Sequence, residues 1–294
     1  MFSPANLMPL AAAMLYALAA LFLNAAGKAG ATGRVTTALC NVLLALFFLQ
    51  FYDWSRFPAL AAPFWPVILL GLFFVLGQAF TILALSLGEV SIVSPVMGLK
   101  VIFVNVILAV GLREMLPLRV WIAAALSVLG VAALQVNPGR RVRAPHAGAA
   151  MGCALISGLF FAAADVVIQY WSPKLGFDRF VPPAMGVSAL FALLFLLPEG
   201  AGIRRLSGTA WKWLLPGGIL LAGQSLLLII AIARYQQVAQ LNIVYSSRGI
   251  WSVIFVWLLG HLFANGEFRQ GGRIRLLYRL AGSILITVAI ALAV

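Results

Sequence analysis

The amino-acid sequence predicts an all-α integral membrane protein, with ten transmembrane helices arranged as two inverted five-helix repeats. The first observation behind this prediction is composition, since 64% of the 294 residues are hydrophobic and only 9% are charged. A water-soluble surface cannot be built from that balance. The second is that ten apolar stretches each approach the roughly 20 residues that a bilayer-spanning helix needs. The third is an apolar motif with a glycine that occurs once in each half of the chain.

The predicted spans follow one another with short connections, so no segment is left that could fold as a separate soluble domain. In chain order they are Asn6–Ala26, Thr32–Phe51, Pro63–Leu87, Val90–Leu112, Leu116–Val136, Ala149–Tyr170, Phe180–Leu197, Trp211–Ala233, Val238–Leu259 and Ile274–Val294. Turn-forming residues separate several of them, such as Gly30 after span one, Asn137-Pro138-Gly139 after span five and Pro198 after span seven. Tryptophans near the span ends are typical of a membrane interface.

A basic loop over residues 137–148 divides the spans into two groups of five. The first repeat then covers residues 1–136 and the second covers residues 149–294. Because five is an odd number, the second repeat would enter the membrane in the opposite orientation from the first. This is the inverted-topology arrangement, in which binding sites lie near the bilayer midplane.

The duplicated motif supports this division. Each copy has Ile-Val, then a glycine, then Val-Ile-Phe-Val, at residues 92–104 in span four and 243–256 in span nine. A Gly-Gln pair precedes each copy, placing Gln78 in span three and Gln224 in span eight. The two halves of the chain are therefore expected to share one helical pattern.

Residues 84–95, with the sequence Ala-Leu-Ser-Leu-Gly-Glu-Val-Ser-Ile-Val-Ser-Pro, resemble the junction of helices three and four in EamA-type drug/metabolite transporters. Gly98 and the Arg113-Glu114 pair fit the rest of that pattern. Residues 237–246 resemble it in the second half, with no proline opposite Pro95. The resemblance implies a multi-pass secondary carrier of a bacterial-type plasma (inner) membrane. It also implies alternating access, with helices three, four, eight and nine around a central cavity.

Lys100 and Arg248 each lie near the middle of a predicted span. A cation at that depth costs at least ~2.5–3.5 kcal/mol, so it should face a watery cavity or a counter-charge. When the two motifs are aligned, Lys100 falls opposite Trp251 and Arg248 opposite Met97, so the cations occupy equivalent faces about one turn apart. An arginine and a lysine around one site suit a carboxylate or a phosphate. Structural pairing of the cations is the alternative.

The predicted substrate-binding set adds polar and apolar neighbours to the two cations. It consists of Lys100, Arg248, Tyr245, Gln78, Gln224, Met97, Trp251, Ser94 and Ser247. For the two glutamines, hydrogen bonding between helices is an alternative to contact with substrate. Pro95 and Gly98 are expected to break or kink span four beside Lys100.

Asp165 is the acidic residue that lies well inside a predicted span. Three roles are open to it: a counter-ion to Lys100 or Arg248, a proton-coupling carboxylate, or a solvated residue near the end of span six. If Asp165 neutralises one cation, the other keeps its positive charge for an anionic substrate.

These observations favour a secondary transporter of a small anionic or zwitterionic metabolite, with substrate and membrane lipids as its partners. The alternatives are an exporter of amino acids or amphipathic drugs, a lipid flippase, or a membrane assembly subunit that does not transport. An enzyme, a cofactor and a metal site are not expected, because catalytic and phosphate-binding motifs and Cys/His clusters are missing from the sequence. Nucleic acid is not expected despite the formal net charge of +13, because the basic residues lie in loops at helix ends.

Two expectations for the orientation of the termini oppose each other. The loops after spans one, five, seven and nine carry more Lys and Arg than the other loops, so the positive-inside rule places both termini outside. The family resemblance implies that both termini lie inside.

Overall fold

The computed structural model describes residues 4–56, 63–87, 90–136, 146–199, 206–259 and 273–294, and within these ranges the regular structure is helical throughout. Its α-helices are α1 (Pro4–Lys28), α2 (Gly33–Leu49), α3 (Trp65–Leu87), α4 (Val90–Gly98), α5 (Lys100–Val106), α6 (Leu118–Gln135), α7 (Ala147–Leu175), α8 (Phe177–Leu193), α9 (Gly208–Tyr235), α10 (Val238–Tyr245), α11 (Arg248–Leu259) and α12 (Arg273–Ala293). A π-helical segment, Ile107–Gly111, continues α5. Short 3-10 helices cover Trp54–Arg56 and Leu194–Glu199.

Seven helical segments in the described residues are long and apolar enough to cross a membrane. They are Ala5–Lys28, Trp65–Ala84, Leu118–Gln135, Ala147–Leu175, Phe177–Leu197, Gly208–Tyr235 and Val238–Leu259. Three shorter apolar helices accompany them: Gly33–Leu49, Pro95–Gly111 and Leu277–Ala293. The prediction of an all-α fold is confirmed for the described residues, and these helices suggest a multi-pass membrane protein. The ten spans and the inverted repeat stay predictions.

The boundary between predicted spans six and seven needs correction. We expected span six to end at Tyr170 and span seven to begin at Phe180, but α7 continues to Leu175 and α8 begins at Phe177. Gly176 makes the tight junction possible, because its φ of 83° lies in the left-handed region that favours glycine. The membrane-crossing helix that carries Asp165 is therefore longer than the sequence suggested.

Predicted spans four and nine are each interrupted near the middle. In span four, α4 ends at Gly98 and α5 begins at Lys100, five residues after Pro95, which cannot donate a backbone hydrogen bond. In span nine, α10 and α11 are separated by Ser246 and Ser247, with no proline at the break. There the Ser246 hydroxyl donates to the Ile243 carbonyl at 2.7 Å, an alternative to regular helical bonding.

Helix pairs from the two halves of the chain pack along each other. The largest contacts join α1 to α9, α3 to α7 and α6 to α12. Where α6 crosses α12, a Cβ on Gly130 would lie 2.8 Å from the Gly282 carbonyl oxygen, and one on Gly282 would lie 2.7 Å from the Gly130 carbonyl oxygen. Such close backbone contact through small residues is how helices associate in lipid.

The predicted linker of residues 137–148 lies mostly outside the described residues, which resume at residue 146. Helix α7 begins at Ala147, so its first two residues belong to the predicted linker. The division into repeats at 1–136 and 149–294 stays a prediction.

Candidate functional site

A cavity of about 480 Å³ lies between the helices of the two halves. Helices α1, α2, α3, α7 and α9 line it together with α4 and α5 of span four and α10 and α11 of span nine. Its polar and charged lining consists of Tyr16, Thr36, Thr37, Gln78, Thr81, Lys100, Asp165, Gln224, Ser225, Tyr245 and Arg248. Spans three, four, eight and nine, which the family resemblance implied, are all present in the wall. Helices α1, α2 and α7 add to them.

The cavity extends from the interrupted helices to one end of the bundle. Gly27, Ala31 and Gly33, at the connection between α1 and α2, belong to its lining. Apolar side chains such as Phe74 and Phe161 cover much of the remaining wall, and these two rings meet edge to face. The arrangement can therefore hold a ligand with a polar group near the interrupted helices and an apolar body.

Lys100 and Asp165 form an ion pair in this cavity, with 2.7 Å between Nζ and Oδ2. Asn242 donates to the same carboxylate oxygen at 2.8 Å. Asp165 is only 3% exposed and lies well before the end of α7 at Leu175, so the solvated-end role is wrong. The counter-ion geometry is present, and the pair is neutral as a unit. Proton coupling by Asp165 stays a prediction.

Arg248 is held by aromatic rings instead of a carboxylate. Its guanidinium carbon lies 4.8 Å from the Tyr16 ring centre and 4.9 Å from that of Tyr245, and the two rings meet edge to face. The Tyr245 hydroxyl donates to Gln224 at 2.8 Å, which fixes the second ring. Arg248 forms no ion pair with any residue that the structure describes.

Gln78 and Gln224 both line the cavity and both make hydrogen bonds within the protein. Gln78 exchanges amide hydrogen bonds with Asn41 of α2 at 2.7 and 3.3 Å, and Ser188 of α8 also donates to Asn41 at 2.9 Å. The helix-linking role that we left open is therefore present for Gln78, and Gln224 links α9 to Tyr245 of α10.

The other predicted site residues are divided between the cavity wall and the surrounding packing. Met97 lines the cavity. Trp251 lies outside the wall, stacked on Phe255 with ring centres 5.9 Å apart. Ser247 is buried, and its hydroxyl has no hydrogen-bond partner among the described residues. The side chain of Ser94 lies outside the description, and Pro95 and Gly98 precede the interruption of span four.

The residues of this region that were missed include Tyr16, Asn41 and Asn242. Each is a polar side chain inside an apolar span, so an inventory of all such residues would have included them. The sequence could not show that α1 and α7 line the cavity beside the duplicated spans. No group of three or more His, Cys, Asp or Glu side chains in the described ranges could hold a metal ion.

No family model and no curated protein matches this chain. Among solved structures, one described only as "Crystal structure of protein" is similar to it, with a TM-score of 0.73 and 18% sequence identity. The alignment covers 100% of this chain and 97% of that chain. At this identity the likeness shows a shared fold alone, so the resemblance to EamA-type transporters stays a prediction.

Proposed function

We propose that this chain is a secondary membrane transporter, and not an enzyme, that moves a small anionic or zwitterionic metabolite by alternating access. The observation that carries the proposal is the cavity of about 480 Å³ among apolar helices, with Arg248 in its wall and no counter-ion for it among the described residues. Membership of the EamA-type carriers and location in a bacterial-type inner membrane belong to this proposal. Both rest on the sequence motifs.

The charges of the cavity favour an anion. Lys100 and Asp165 neutralise each other, which leaves the guanidinium of Arg248 as excess positive charge in the described lining. Charged groups inside a membrane face cavities and mark substrate pathways. A guanidinium presents a planar fork of donors that matches a carboxylate, and Tyr16 and Tyr245 hold it without neutralising it.

Helix packing supports the proposed inverted repeat of ten spans. In such a repeat, the first-half helices α1, α2, α3, α4–α5 and α6 correspond in that order to α7, α8, α9, α10–α11 and α12. The contact between α1 and α9 then has an equivalent contact between α7 and α3. Both pairs pack closely, and so do the related pairs α2 with α9 and α8 with α3. Helix α6 packs on its own counterpart, α12. This exchange pattern is what two-fold related repeats produce.

The two ends of the cavity differ in a way that suits alternating access. One end reaches the connection between α1 and α2. Toward the other end, Gln169 of α7 accepts a hydrogen bond from the Val238 backbone N–H at 2.7 Å and donates to Glu114 at 3.3 Å. The Gln169 side chain therefore links the residues just after the end of span four to the first residue of span nine. A carrier needs such a closed end opposite its open one.

Export of amphipathic amines or drugs is less well supported, because Asp165 already accepts from Lys100 and Asn242. Export of amino acids fits the mixed charges of the cavity, since a zwitterion needs both a cation and an acid. A lipid flippase and a non-transporting subunit are separated from a carrier by the following experiment.

The test is ligand binding by purified protein, followed by uptake into liposomes. Matched sets of compounds, each with a carboxylic acid, its amide and the corresponding amine, are screened for a rise in melting temperature. Such a rise reports binding by mass action. We expect acids to stabilise the wild type and to lose that effect in Lys100→Ala and Arg248→Ala. Arg234→Ala is the matched control, because Arg234 is an exposed cation at the end of α9.

If the two cation variants bind and transport every responding acid like the wild type, the proposal fails. If amines respond instead and Asp165→Asn abolishes the response, amine export replaces it. Lipid turnover in liposomes without solute uptake would identify a flippase.

A further inference from the structure

Behind the central cavity lies a second, much smaller chamber of about 20 Å³. Four residues line both spaces: Met97, Lys100, Tyr245 and Arg248. They form the partition between the cavity and the chamber, at the point where spans four and nine are interrupted. The two cations therefore border both spaces.

The size of the chamber limits what can enter it. A space of ~10–15 Å³ accessible to a water-sized probe is needed for one water molecule, so the chamber admits one oxygen atom. It is too small for a whole carboxylate or phosphate group. A ligand in the large cavity could place a single oxygen there while its remaining atoms stay outside.

The hydrogen-bond donors of the chamber wall select an acceptor. The Tyr245 hydroxyl already donates to Gln224, and the Ser246 hydroxyl donates to the Ile243 carbonyl. The Asn242 amide also donates within the protein, at 2.8 and 3.0 Å. The donors left over belong to the two cations, since a lysine carries three and an arginine five. An anionic oxygen fits this wall, whereas an ammonium group does not.

We infer that this chamber is the head-group subsite of the carrier, and that it takes one carboxylate oxygen of the substrate between Lys100 and Arg248. The inference rests on the proposed function and deepens it, because it assigns the anionic end of the substrate to the chamber and the body to the large cavity. A substrate must then present an unhindered carboxylate, while its body is free to vary.

Gly98 offers a way to fill the chamber without touching the large cavity. A Cβ added there would lie 3.4 Å from Cγ1 of Val131, an ordinary contact, and both residues line the chamber. Gly186 of α8 is the matched control. Its added Cβ would meet nothing within 4 Å, and Gly186 lines neither the chamber nor the large cavity.

The probe is trifluoroacetate, which is little more than a carboxylate head group, with trifluoroacetamide as its neutral counterpart. Binding to the full-length protein in detergent is read from fluorine NMR line broadening. We expect Gly98→Ala to weaken trifluoroacetate binding by about tenfold or more, a factor worth about 1.4 kcal/mol. Gly186→Ala should change it by less than about twofold, within the usual spread for a change away from the contact.

These variants distinguish a failure of the proposed anion carrier from a failure of the chamber as its head-group subsite. If the wild type does not prefer trifluoroacetate to trifluoroacetamide, or if Arg248→Gln leaves binding unchanged, the proposed anion carrier fails. If Arg248→Gln abolishes binding but Gly98→Ala does not weaken it, the carrier stands and the chamber is not the subsite.

A second substitution shows whether Gly98→Ala weakens binding by filling the chamber or by disturbing its helix. Val131→Ala in the Gly98→Ala background removes the methyl groups of the chamber wall nearest the added Cβ and so returns space to the chamber. It should therefore restore trifluoroacetate binding toward the wild-type value. A folded double variant, checked by its melting temperature, that still binds as weakly as Gly98→Ala alone would overturn the inference.

Discussion

Lys100 and Arg248 each begin the second part of an interrupted span, yet the protein accommodates the two cations differently. Lys100 forms an ion pair with a buried carboxylate, Asp165, at 2.7 Å. Arg248 lies between the rings of Tyr16 and Tyr245 and forms no ion pair with the described residues. Carboxylate pairing cancels a charge, whereas aromatic contact stabilises a charge and leaves it in place.

This difference shows how two similar sequence motifs can contribute to one asymmetric site. A Lys keeps its charge on a compact ammonium that pairs well with one carboxylate. An Arg is more weakly hydrated and stacks on aromatic rings, so it tolerates the cavity without a counter-ion. The region around Lys100 thus contributes a neutralised cation with hydrogen-bond donors to spare, and the region around Arg248 contributes the charge that a ligand can neutralise.

The largest expected effect comes from removing the carboxylate of the Lys100 region. Asp165→Asn leaves the Lys100 ammonium without its partner, which should lower the free energy of unfolding by about 3–5 kcal/mol. Arg248→Met should cost clearly less, because no buried partner is left behind. Unfolding of both variants is followed by denaturant titration in mixed micelles.

A double variant provides the control. Lys100→Met with Asp165→Leu removes both charges and should recover most of the lost stability, because uncharged side chains can replace a buried pair. Equal costs for Asp165→Asn and Arg248→Met would contradict the distinction between a paired and an unpaired cation.

The next effect concerns Gln169, which contacts the far ends of both interrupted spans. Gln169→Leu leaves the backbone N–H of the buried Val238 without its acceptor, at a cost of about 1–3 kcal/mol. Because Gln169 also donates to Glu114, the variant should loosen both regions together and favour opening of the closed end. Stability and transport rate are measured beside Gln50→Leu, whose exposed amide bonds only within its own helix region.

Much of the fold could be predicted because membrane spans are long and apolar. Composition and span length predict the multi-pass helical class without any tertiary information. The break beside Lys100 was also predictable, since Pro95 and Gly98 are local signals. The break at Ser246 was not, because serine is compatible with a helix unless its hydroxyl bonds to the backbone.

The charged residues of the site could be predicted from the sequence, whereas the other residues around the cavity were less predictable. Lys100, Arg248 and Asp165 are rare residue types for a span and could be recognised singly. Tyr16 and Asn242 act only through contacts with α11 and α7, which depend on how distant helices pack. Trp251 illustrates the reverse case: the motif alignment placed it opposite Lys100, but it stacks on Phe255 and lies outside the cavity wall.

A smaller effect tests the aromatic half of the comparison. Tyr16→Leu removes one ring from Arg248 and should cost about 0.5–2 kcal/mol of unfolding free energy, the value of a cation–π contact. Tyr16→Phe keeps the ring and should cost less. Phe161→Leu beside Lys100 should have less influence on the cation, because the ammonium lies 6.0 Å from the ring centre and is already paired. Equal losses for Tyr16→Phe and Tyr16→Leu would show that the hydroxyl matters and the ring does not.

The smallest expected effect concerns how each break is maintained. Pro95 and Ser246 occupy equivalent positions when the motifs are aligned, and Ser127 of α6 donates to the Ser246 hydroxyl at 2.6 Å. Ser127→Ala removes this bond between helices and should cost about 0.6 kcal/mol, the typical value in a membrane. Ser246 would keep its own bond to Ile243, so anion binding near Arg248 should persist. A loss of binding in Ser127→Ala would mean that the break in span nine depends on α6, whereas the break in span four is built into its own sequence by proline.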